Sequence, residues 1–397
     1  MKILLLNQFF WPDSAATSQL LTDLARGLAA RGHQVYAVCA DGGYALKDAD
    51  DPPSAVIYRV ASAPFWRGRM GRVLSYVSYY VMCAVRGLTA PRPDVVVTLT
   101  TPPLLPLVGT LIKWLRGSKH FLWEMDLYPD VAVDVNYIRR GGLLDRSTGV
   151  LADLARRKSD GIIALGDCMR RRLMARGIPQ EKIFVAENWA DGNLIRPVPR
   201  TAARAELVVL YSGNLGLAHD VDTIAEAIEE LKQDLRFRFV FAGGGPVRRA
   251  LEDRCRRQDL RQVDFKSYTR RAGLGESLGA GDVGLVTQRA ACLGSVVPSK
   301  VYGLMAAARP ILFIGPAEST AAHVIRRFHC GWHVSNGDVA GLVQLLAHLA
   351  ANPAEVQEAG QRARQAFLEH YDRPVGVARI CRLLGASEAE MQGAAAA

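Results

Sequence analysis

Short apolar runs alternate with longer amphipathic stretches through the first half of the chain. The run Ile3–Leu6 predicts a strand, and leucines at helical spacing predict a helix over Thr17–Arg31 after it. Similar runs predict further strands, with helices between them, at Gln34–Cys39, Val95–Leu99, His120–Trp123 and Gly161–Ala164. Strands that are apolar along their whole length are typical of a parallel sheet covered by helices on both faces.

The alternation stops around Asp191–Glu206 and then begins again. This polar stretch contains Pro197, Pro199 and Arg200. We therefore predict a linker over 192–206. The second half predicts strands at Leu207–Tyr211, Phe237–Ala242, Val263–Phe265, Asp282–Val286 and Pro310–Ile314, and helices at Asp222–Leu231, Val247–Cys255 and Pro298–Ala308.

These patterns predict an α/β protein with two Rossmann-like domains, 1–191 and 207–371. Each is a doubly wound parallel sheet, and the two face a central cleft at the carboxyl ends of their strands. The segment 372–397 is predicted as a helix that can pack back on the first domain, followed by a frayed alanine-rich tail.

Composition agrees with a folded two-domain protein that keeps its thiols reduced. The chain has 397 residues, of which 49% are hydrophobic and 22% charged, so it exceeds one ordinary core. Its seven cysteines are scattered and form no CxxC pair, which indicates the cytoplasm and argues against disulfides or a zinc site. The apolar start, Met1–Leu6, is too short for a signal peptide and is better interpreted as the first strand.

The placement of charge adds a possible membrane contact. The net charge is +10, and the interval 52–93 has no acidic residue. It contains Arg59, Arg67, Arg69, Arg72, Arg86 and Arg92 beside Phe65, Trp66, Tyr76, Tyr79 and Tyr80. An anionic membrane surface attracts such a combination, although a solvated basic face over a core helix fits it equally. No run reaches the ~20 apolar residues that span a bilayer. We expect peripheral contact with the inner membrane face, and no nucleic-acid partner.

Two glycine-rich turns follow successive strands of the second domain. The first is Gly213-Asn214-Leu215-Gly216 and the second is Gly243-Gly244-Gly245. Glycines let backbone N–H groups approach a phosphate, and the helix that follows adds a favourable dipole. Each turn alone is a weak signal, but the pair predicts a nucleotide. A NAD site would read GxGxxG with an acid about 20 residues later, so GNLG and AGGG argue against a dehydrogenase.

A third motif, Pro298-Ser299-Lys300, opens the predicted helix over Pro298–Ala308. Free N–H groups and a cation there can hold an anion. The alternative interpretation is that Ser299 is an ordinary N-cap and that Lys300 is solvated. Two DxD matches, Asp48–Asp50 and Asp220–Asp222, are of a kind that arises by chance, and we expect neither a metal nor a cofactor.

The motifs, taken in order, resemble a known family. Its marks here are NQFFWPDSAATSQLL near the start, MDLYPD at Met125–Asp130, SDGIIALGDCMRRRL, ENWAD, SGNLG, FAGGGP and VPSKVYGLMAAARPILFIG. The series is similar to the retaining glycosyltransferases of family 4, which have the GT-B fold, and most closely to the WbuB/WcaI-like subgroup of bacterial polysaccharide enzymes. The resemblance covers nearly the whole chain.

The resemblance implies a nucleoside diphosphate sugar, in the first place a UDP-sugar, bound mainly by the second domain. Gly213, Asn214 and Gly216 would line the diphosphate, and Ser299 and Lys300 would approach it. The remaining residues of this predicted donor site are Leu215, Gly243, Gly244, Gly245, Pro298, the base-side pair Ser267 and Tyr268, and, from the loop Trp11–Ser18 of the first domain, Ala15, Ala16 and Thr17.

The predicted catalytic residues are Asp126, Asn214 and Lys300. Asp126 lies with Glu124 and Asp130 at the end of a strand, where the resemblance implies the acceptor. It is a candidate base or hydrogen-bond partner of the acceptor, or simply a cap of the turn before Pro129. Retention implies front-face attack, in which the departing phosphate takes the acceptor proton and no protein nucleophile is needed.

The chain departs from the family pattern in two places. Many members carry two glutamates eight positions apart, where this chain has Ser295 and Gly303, and a pair of basic residues near the first glycine turn is reduced to His219. We therefore expect Lys300 to carry more of the diphosphate charge than is usual.

The function predicted is transfer of a sugar to a lipid-linked saccharide in polysaccharide biosynthesis. Alternatives are a small-molecule acceptor, a UDP-sugar 2-epimerase of GT-B type, and a binding module. An epimerase would need several acidic residues and histidines around the sugar, and the sequence shows no such set.

Overall fold

The computed structural model describes residues 1–41, 51–63, 69–198 and 206–385. The chain forms two units, one comprising Met1–Glu187 and the chain from Pro374, the other Asn188–Arg373. Four features of the sequence lie outside the described residues: the first DxD match, the pair Phe65 and Trp66, Arg67, and the alanine-rich tail.

The first unit is built on a seven-stranded parallel sheet. Its strands are β1 (Lys2–Leu6), β2 (Gln34–Ala40), β3 (Val56–Val60), β4 (Val95–Leu99), β5 (Lys119–Trp123), β6 (Gly161–Ala164) and β7 (Ile183–Val185). Their order is β3-β2-β1-β4-β5-β6-β7. The order reverses between β1 and β4, where parallel sheets of this kind open a crevice at the carboxyl ends of the strands.

Six helices connect these strands: α1 (Ala16–Ala30), α2 (Arg69–Thr89), α3 (Pro106–Arg116), α4 (Asp130–Asp134), α5 (Leu143–Lys158) and α6 (Asp167–Ala175). Helix α3 contacts α2 on one side and α5 on the other, so these three helices lie side by side along the sheet. Helix α1 is almost entirely buried along its length.

The second unit is built on a six-stranded parallel sheet in the order β10-β9-β8-β11-β12-β13. The strands are β8 (Leu207–Ser212), β9 (Phe237–Ala242), β10 (Val263–Lys266), β11 (Val283–Thr287), β12 (Ile311–Ile314) and β13 (Gly331–Val334). The helices are α7 (Asp222–Glu230), α8 (Arg248–Arg257), α9 (Leu274–Gly279), α10 (Lys300–Ala306), α11 (Thr320–Phe328), α12 (Val339–Ala351) and α13 (Pro353–His370). Here the strand order reverses between β8 and β11.

The last helix, α14 (Arg373–Leu383), lies almost wholly in the first unit. Val377 packs against Gly27 of α1 so closely that a Cβ at Gly27 would collide with it. Arg379 forms an ion pair with Glu187 at 3.0 Å. These contacts cover the outer face of α1.

The two Rossmann-like parallel sheets confirm the predicted fold class. Strands that are mostly apolar and buried, such as β1 and β4, were predicted within a residue of their observed ends. The strands that the sequence did not predict, β3, β7 and β13, all lie at sheet edges and are only partly buried. Edge strands mix polar and apolar residues, so their pattern is weaker.

Helix α2 corrects one of our expectations about the interval 52–93. Tyr79 is fully buried, and its hydroxyl donates to the Val38 carbonyl oxygen at 3.0 Å. The Tyr80 hydroxyl donates to the Pro103 carbonyl oxygen. These tyrosines belong to the core between the helix and the sheet, and the prediction that they face a membrane surface is wrong.

Candidate active site

The two glycine turns of the second unit meet backbone to backbone at the ends of β8 and β9. The Gly213 N–H donates to the Ala242 carbonyl oxygen at 2.8 Å, and the Leu215 N–H donates to that of Gly244 at 2.6 Å. Gly243 has φ +127°, and a Cβ there would collide with the Gly213 carbonyl oxygen. Only glycine combines this backbone conformation with so close an approach.

This pairing divides the amides of the first turn into two sets. The N–H groups of Gly213 and Leu215 are used in the turn itself, so the prediction that they are available to a phosphate is wrong. The N–H groups of Asn214 and Gly216 have no acceptor within the described parts of the chain. They remain as donors for a ligand.

The start of helix α7 is already occupied by a carboxylate. Asp220 accepts hydrogen bonds from the N–H groups of Asp222 and Thr223 at 3.1 and 3.2 Å, and from the Thr223 hydroxyl at 2.7 Å. Asp220 is thus the cap of α7, which accounts for the second DxD match. It also corrects the expectation that the dipole of this helix favours the ligand, because the negative charge at its N-terminus is supplied by the protein.

Lys300 begins α10 and lies against the first glycine turn. A Cβ at Gly213 would lie 2.9 Å from Lys300 Cε, and Lys300 Nζ is 5.3 Å from the centre of the Tyr211 ring. No carboxylate pairs with this ammonium group among the residues that the structure describes. Burial lowers the pKa of Lys300 to about 8. The alternative interpretation of a solvated lysine is wrong.

His219 holds the ammonium group of Lys300 in place. Its Nδ1 lies 2.9 Å from the Thr287 carbonyl oxygen, which can only accept, so Nδ1 carries the hydrogen. Its Nε2 therefore accepts from Lys300 Nζ at 3.3 Å. Burial, and after it the charge of Lys300, lowers the pKa of His219 to about 4. The histidine is neutral at pH 7 and does not provide a second cation.

Tyr268 follows β10 and lies over the second glycine turn. A Cβ at Gly244 would lie 2.9 Å from Tyr268 Cε2, and the Tyr268 hydroxyl is 3.5 Å from Asn214 Oδ1. The side chain is 55% exposed, so part of it is accessible to a planar group. Ser267 beside it is exposed. The structure therefore brings Asn214, Gly244 and Tyr268 together.

The third motif is held by a residue that the sequence analysis missed. Gln288 follows β11, is buried, and donates from Nε2 to the carbonyl oxygens of Cys292 and Val296 at 3.0 and 2.9 Å. Its Oε1 accepts from the Ser319 hydroxyl at 2.8 Å. Gln288 thereby fixes the loop that leads to Lys300. A polar residue directly after a fully apolar strand is the signal that could have revealed it.

The remaining residues of this motif differ in exposure. Pro298 is buried, whereas Ser299 is exposed. Ser299 occupies the N-cap position of α10, but its side chain makes no capping hydrogen bond. Ser295 is buried and donates to the Cys292 carbonyl oxygen at 3.3 Å. A Cβ at Gly303 would face Leu278 and Ile195. Neither of the two glutamate positions of the family offers a charged group here.

His219 also lines a pocket of about 380 Å³. Its lining includes Asp222, Arg289 and Asn336. Asn336 donates to Asp220 and to the Gln288 carbonyl oxygen, which connects the pocket to the network described above. Polar side chains of both charges suit a ligand that carries hydroxyl groups.

In the first unit, the three acidic residues after β5 lie in different environments. Glu124 is buried and accepts from Arg156 Nε at 2.7 Å. Asp130 pairs with Arg172 and Arg176 at 2.9 and 3.0 Å. Only the Asp126 carboxylate accepts no hydrogen bond among the described residues, so it does not cap the turn before Pro129.

The environment of Asp126 shifts its protonation. Burial, and after it the charge of Glu124, raises the pKa of Asp126 to about 6. Burial likewise raises the pKa of Glu124, although Arg156 opposes that shift. The Asp126 backbone N–H lies 3.3 Å from the Thr100 hydroxyl, which ties the end of β5 to the end of β4. A free carboxylate with a pKa near 6 is suited to accept a proton from, or a hydrogen bond to, an acceptor hydroxyl.

The residues Ala15, Ala16 and Thr17 lie at the start of α1 in the first unit. The Ala15 N–H donates to the buried Asp13 carboxylate at 2.8 Å, so it is not available to a ligand. Ala16 and Thr17 contribute first-turn N–H groups, which a helix leaves without internal acceptors. Helix α1 has no side-chain cap.

Comparison with known proteins decides the family. The family described as "Glycosyl transferase 4-like domain" matches residues 17–189, and the family "Glycosyl transferases group 1" matches residues 206–352. This chain belongs to the family-4 glycosyltransferases. It is 27% identical over 308 residues to the glycosyltransferase WbjE of Pseudomonas aeruginosa. The aligned region covers 73% of this chain and 74% of WbjE.

A second relative of the glycosyltransferase is WcaI of Escherichia coli K12, named for colanic acid biosynthesis. The two are 25% identical over 338 residues, 77% of this chain and 81% of WcaI. Solved structures share the fold. Sucrose-phosphate synthase of Thermosynechococcus elongatus aligns with a TM-score of 0.78 at 16% identity, covering 96% of this chain and 98% of that one. HepE of Anabaena in complex with UDP aligns with a TM-score of 0.72 at 13% identity, and the alignment covers 97% of this chain and 100% of HepE.

The glycosyltransferase thus carries two sets of unpaired polar groups, one in each unit. The second unit provides the ammonium group of Lys300 and the N–H groups of Asn214 and Gly216, which suit an anion. The first unit provides the carboxylate of Asp126, which suits a hydroxyl group. Within its described residues, no helix is both long and apolar enough to cross a membrane.

Proposed function

We propose that this glycosyltransferase moves a sugar from a nucleoside diphosphate sugar, in the first place a UDP-sugar, to a lipid-linked saccharide during polysaccharide biosynthesis. The observation that carries the proposal is the ammonium group of Lys300, which is half-buried against the first glycine turn with no carboxylate partner among the described residues. A partly desolvated cation without a counter-charge is costly, and a diphosphate would supply that charge. The names of WbjE and WcaI and the complex of HepE with UDP support the choice of reaction and base.

In this proposal the second unit neutralises the leaving group. Lys300 contacts the diphosphate, and the N–H groups of Asn214 and Gly216 donate to its oxygens. These hydrogen-bonding groups are in position before the nucleotide sugar binds, because the paired glycine turns and His219 hold them in place. Fixed donors act where negative charge grows as the bond to the sugar breaks. Tyr268, which is more than half exposed, contacts the base.

The first unit receives the acceptor in the same proposal. Asp126 accepts a hydrogen bond from the acceptor hydroxyl and so orients it toward the anomeric carbon. The departing phosphate takes the acceptor proton in a front-face attack, and the configuration of the sugar is retained. No step in this route requires a covalent intermediate on the protein.

The experiment is incubation of the purified protein with a panel of UDP-sugars and GDP-sugars, without acceptor, followed by analysis of the sugar and the nucleotide. Slow release of the nucleoside diphosphate from one donor, with the anomeric configuration of the released sugar retained, is the expected result. Interconversion of the sugar within the intact donor would identify an epimerase. Binding without either reaction would identify a binding module and refute the proposal.

A further inference from the structure

Exposed apolar side chains are concentrated on one face of the first unit. Of the 23 large hydrophobic residues that are exposed among the described parts of the chain, 14 belong to α2, α3 and α5. The whole second unit has only four. Because α2, α3 and α5 lie side by side, we call their combined solvent-facing side the apolar helix face.

Each helix contributes a stripe at helical spacing. Val73, Val77, Val81 and Val85 follow one another every four residues along α2, and each is more than half exposed. On α3 the most exposed is Trp114, at 82%. A core helix of a soluble unit buries its apolar stripe, whereas these helices bury one apolar side and expose a second.

Helix α5 combines the exposed apolar stripe with cations. Leu143, Val150 and Leu154 share one side of the helix with Arg146 and Arg157, because these positions are separated by three, four or seven residues. Leu143 is 86% exposed and Val150 is 69% exposed. Such a helix, with apolar residues flanked by arginines, fits the plane of a membrane interface.

The apolar helix face carries little negative charge. Helices α2 and α3 contain no acidic residue. The two on α5 are engaged: Asp145 accepts from the Gly141 N–H at 2.8 Å, and Asp153 pairs with Arg156 and Arg176. A second copy of this chain would therefore bring two basic surfaces together. An anionic bilayer would provide both acyl chains for the stripes and negative head groups for the arginines.

We propose that the apolar helix face docks on an anionic lipid bilayer, with α2, α3 and α5 lying in the plane of the interface. The proposal rests on the proposed function, since a lipid-linked acceptor would be presented at the same surface. It moves the membrane contact from Tyr79 and Tyr80, which pack between the helix and the sheet, to aliphatic residues and Trp114. It also extends the contact to α3 and α5, beyond the interval that the charge pattern indicated.

The test is flotation of the full-length protein with vesicles of phosphatidylcholine alone and of an equimolar mixture with phosphatidylglycerol. The wild type is expected to float with the mixed vesicles and to bind neutral ones much more weakly. The double variant Trp114→Ser, Leu143→Ser should lose at least about tenfold in vesicle affinity, because two large apolar groups no longer enter the lipid. Arg146→Ser should weaken binding to anionic vesicles only.

Leu235→Ser is the matched control, since Leu235 is 84% exposed in the second unit. It should bind vesicles as the wild type does. The proposal would be overturned if the wild type did not float, or if the wild type and the double variant floated equally. It would also be overturned if sedimentation velocity showed that the wild type is a dimer and that the double variant is a monomer. Hydrolysis of the sugar donor in solution needs no vesicles, so all three variants should retain it. Its absence from the wild type would instead count against the proposed function.

Discussion

Replacement of Lys300 by methionine removes the cation that the proposed donor site depends on while keeping a side chain of similar length. One hydrogen bond to a charged group contributes about 1.5–3 kcal/mol, so the variant should bind UDP about 10- to 150-fold more weakly. The paired glycine turns are held by backbone hydrogen bonds and should persist. The variant is therefore expected to fold normally and to lose nucleotide affinity.

The lowered pKa of Lys300 adds a dependence on pH. With a pKa of about 8 in the free protein, the side chain is charged below that pH and becomes neutral as the pH rises through it. If only the charged form binds the diphosphate, the UDP dissociation constant should rise about tenfold between pH 7 and pH 9. A solvated lysine, with its ordinary pKa of about 10.4, would show no such change in this range.

Isothermal titration of UDP into the protein at several values of pH measures both effects. The Lys300→Met variant serves as the control for titration of UDP itself, because only the difference between the two proteins reports on Lys300. Lys232→Met is the matched charge control, since Lys232 is exposed in the same unit and donates to the Gln258 carbonyl oxygen. If Lys300→Met bound UDP as tightly as Lys232→Met, with the same pH profile, the assignment of Lys300 to the diphosphate would be wrong.

Four further substitutions test other parts of the account. Gly243→Ala should lower the melting temperature and abolish UDP binding, because the new Cβ would collide with the Gly213 carbonyl oxygen. Gly216→Ala is the control and should be tolerated, since the atom nearest to its Cβ would be 3.6 Å away. Equal melting temperatures of the two variants would contradict the packing described. Glu124→Gln should destabilise the first unit by about 1.5–3 kcal/mol in denaturant unfolding, because the buried Arg156 cation loses one of its two carboxylate partners and keeps Asp153. An unchanged midpoint would refute this. The rate of sugar transfer by the wild type should decline as the pH falls through about 6, where Asp126 gains its proton. Asp126→Asn should lower kcat about 100-fold with unchanged UDP affinity. A variant with weaker UDP affinity and normal kcat would show that Asp126 takes no part in the reaction.

The sequence was most informative where burial is complete. Strands such as β4 and β8 are mostly apolar and are buried along nearly their whole length, and their length and spacing were enough to predict parallel sheets. The edge strand β13 has the sequence GWHV and is mostly half-buried, so its pattern does not differ from that of a loop. Helix α2 was misinterpreted because apolar residues lie on both of its sides, and a pattern does not show which side meets the sheet.

The site was predictable as a set of segments and not as a set of contacts. Glycine spacing indicated both turns, but the use of the Gly213 and Leu215 amides depends on the second turn, which lies 30 residues later in the chain. The burial of Lys300 likewise depends on Tyr211 and His219, more than 80 residues away. Gln288 acts through carbonyl oxygens of a loop, and backbone acceptors leave no mark on the sequence.

The central claim is that the diphosphate of the donor binds between the two glycine turns and the start of α10. Hydrogen–deuterium exchange of the protein with and without UDP tests this directly. The account predicts slower exchange in the segments 211–216, 242–247 and 298–303 when UDP is bound, and loss of that protection in Lys300→Met. Protection confined to other segments, or an unchanged pattern at saturating UDP, would contradict it.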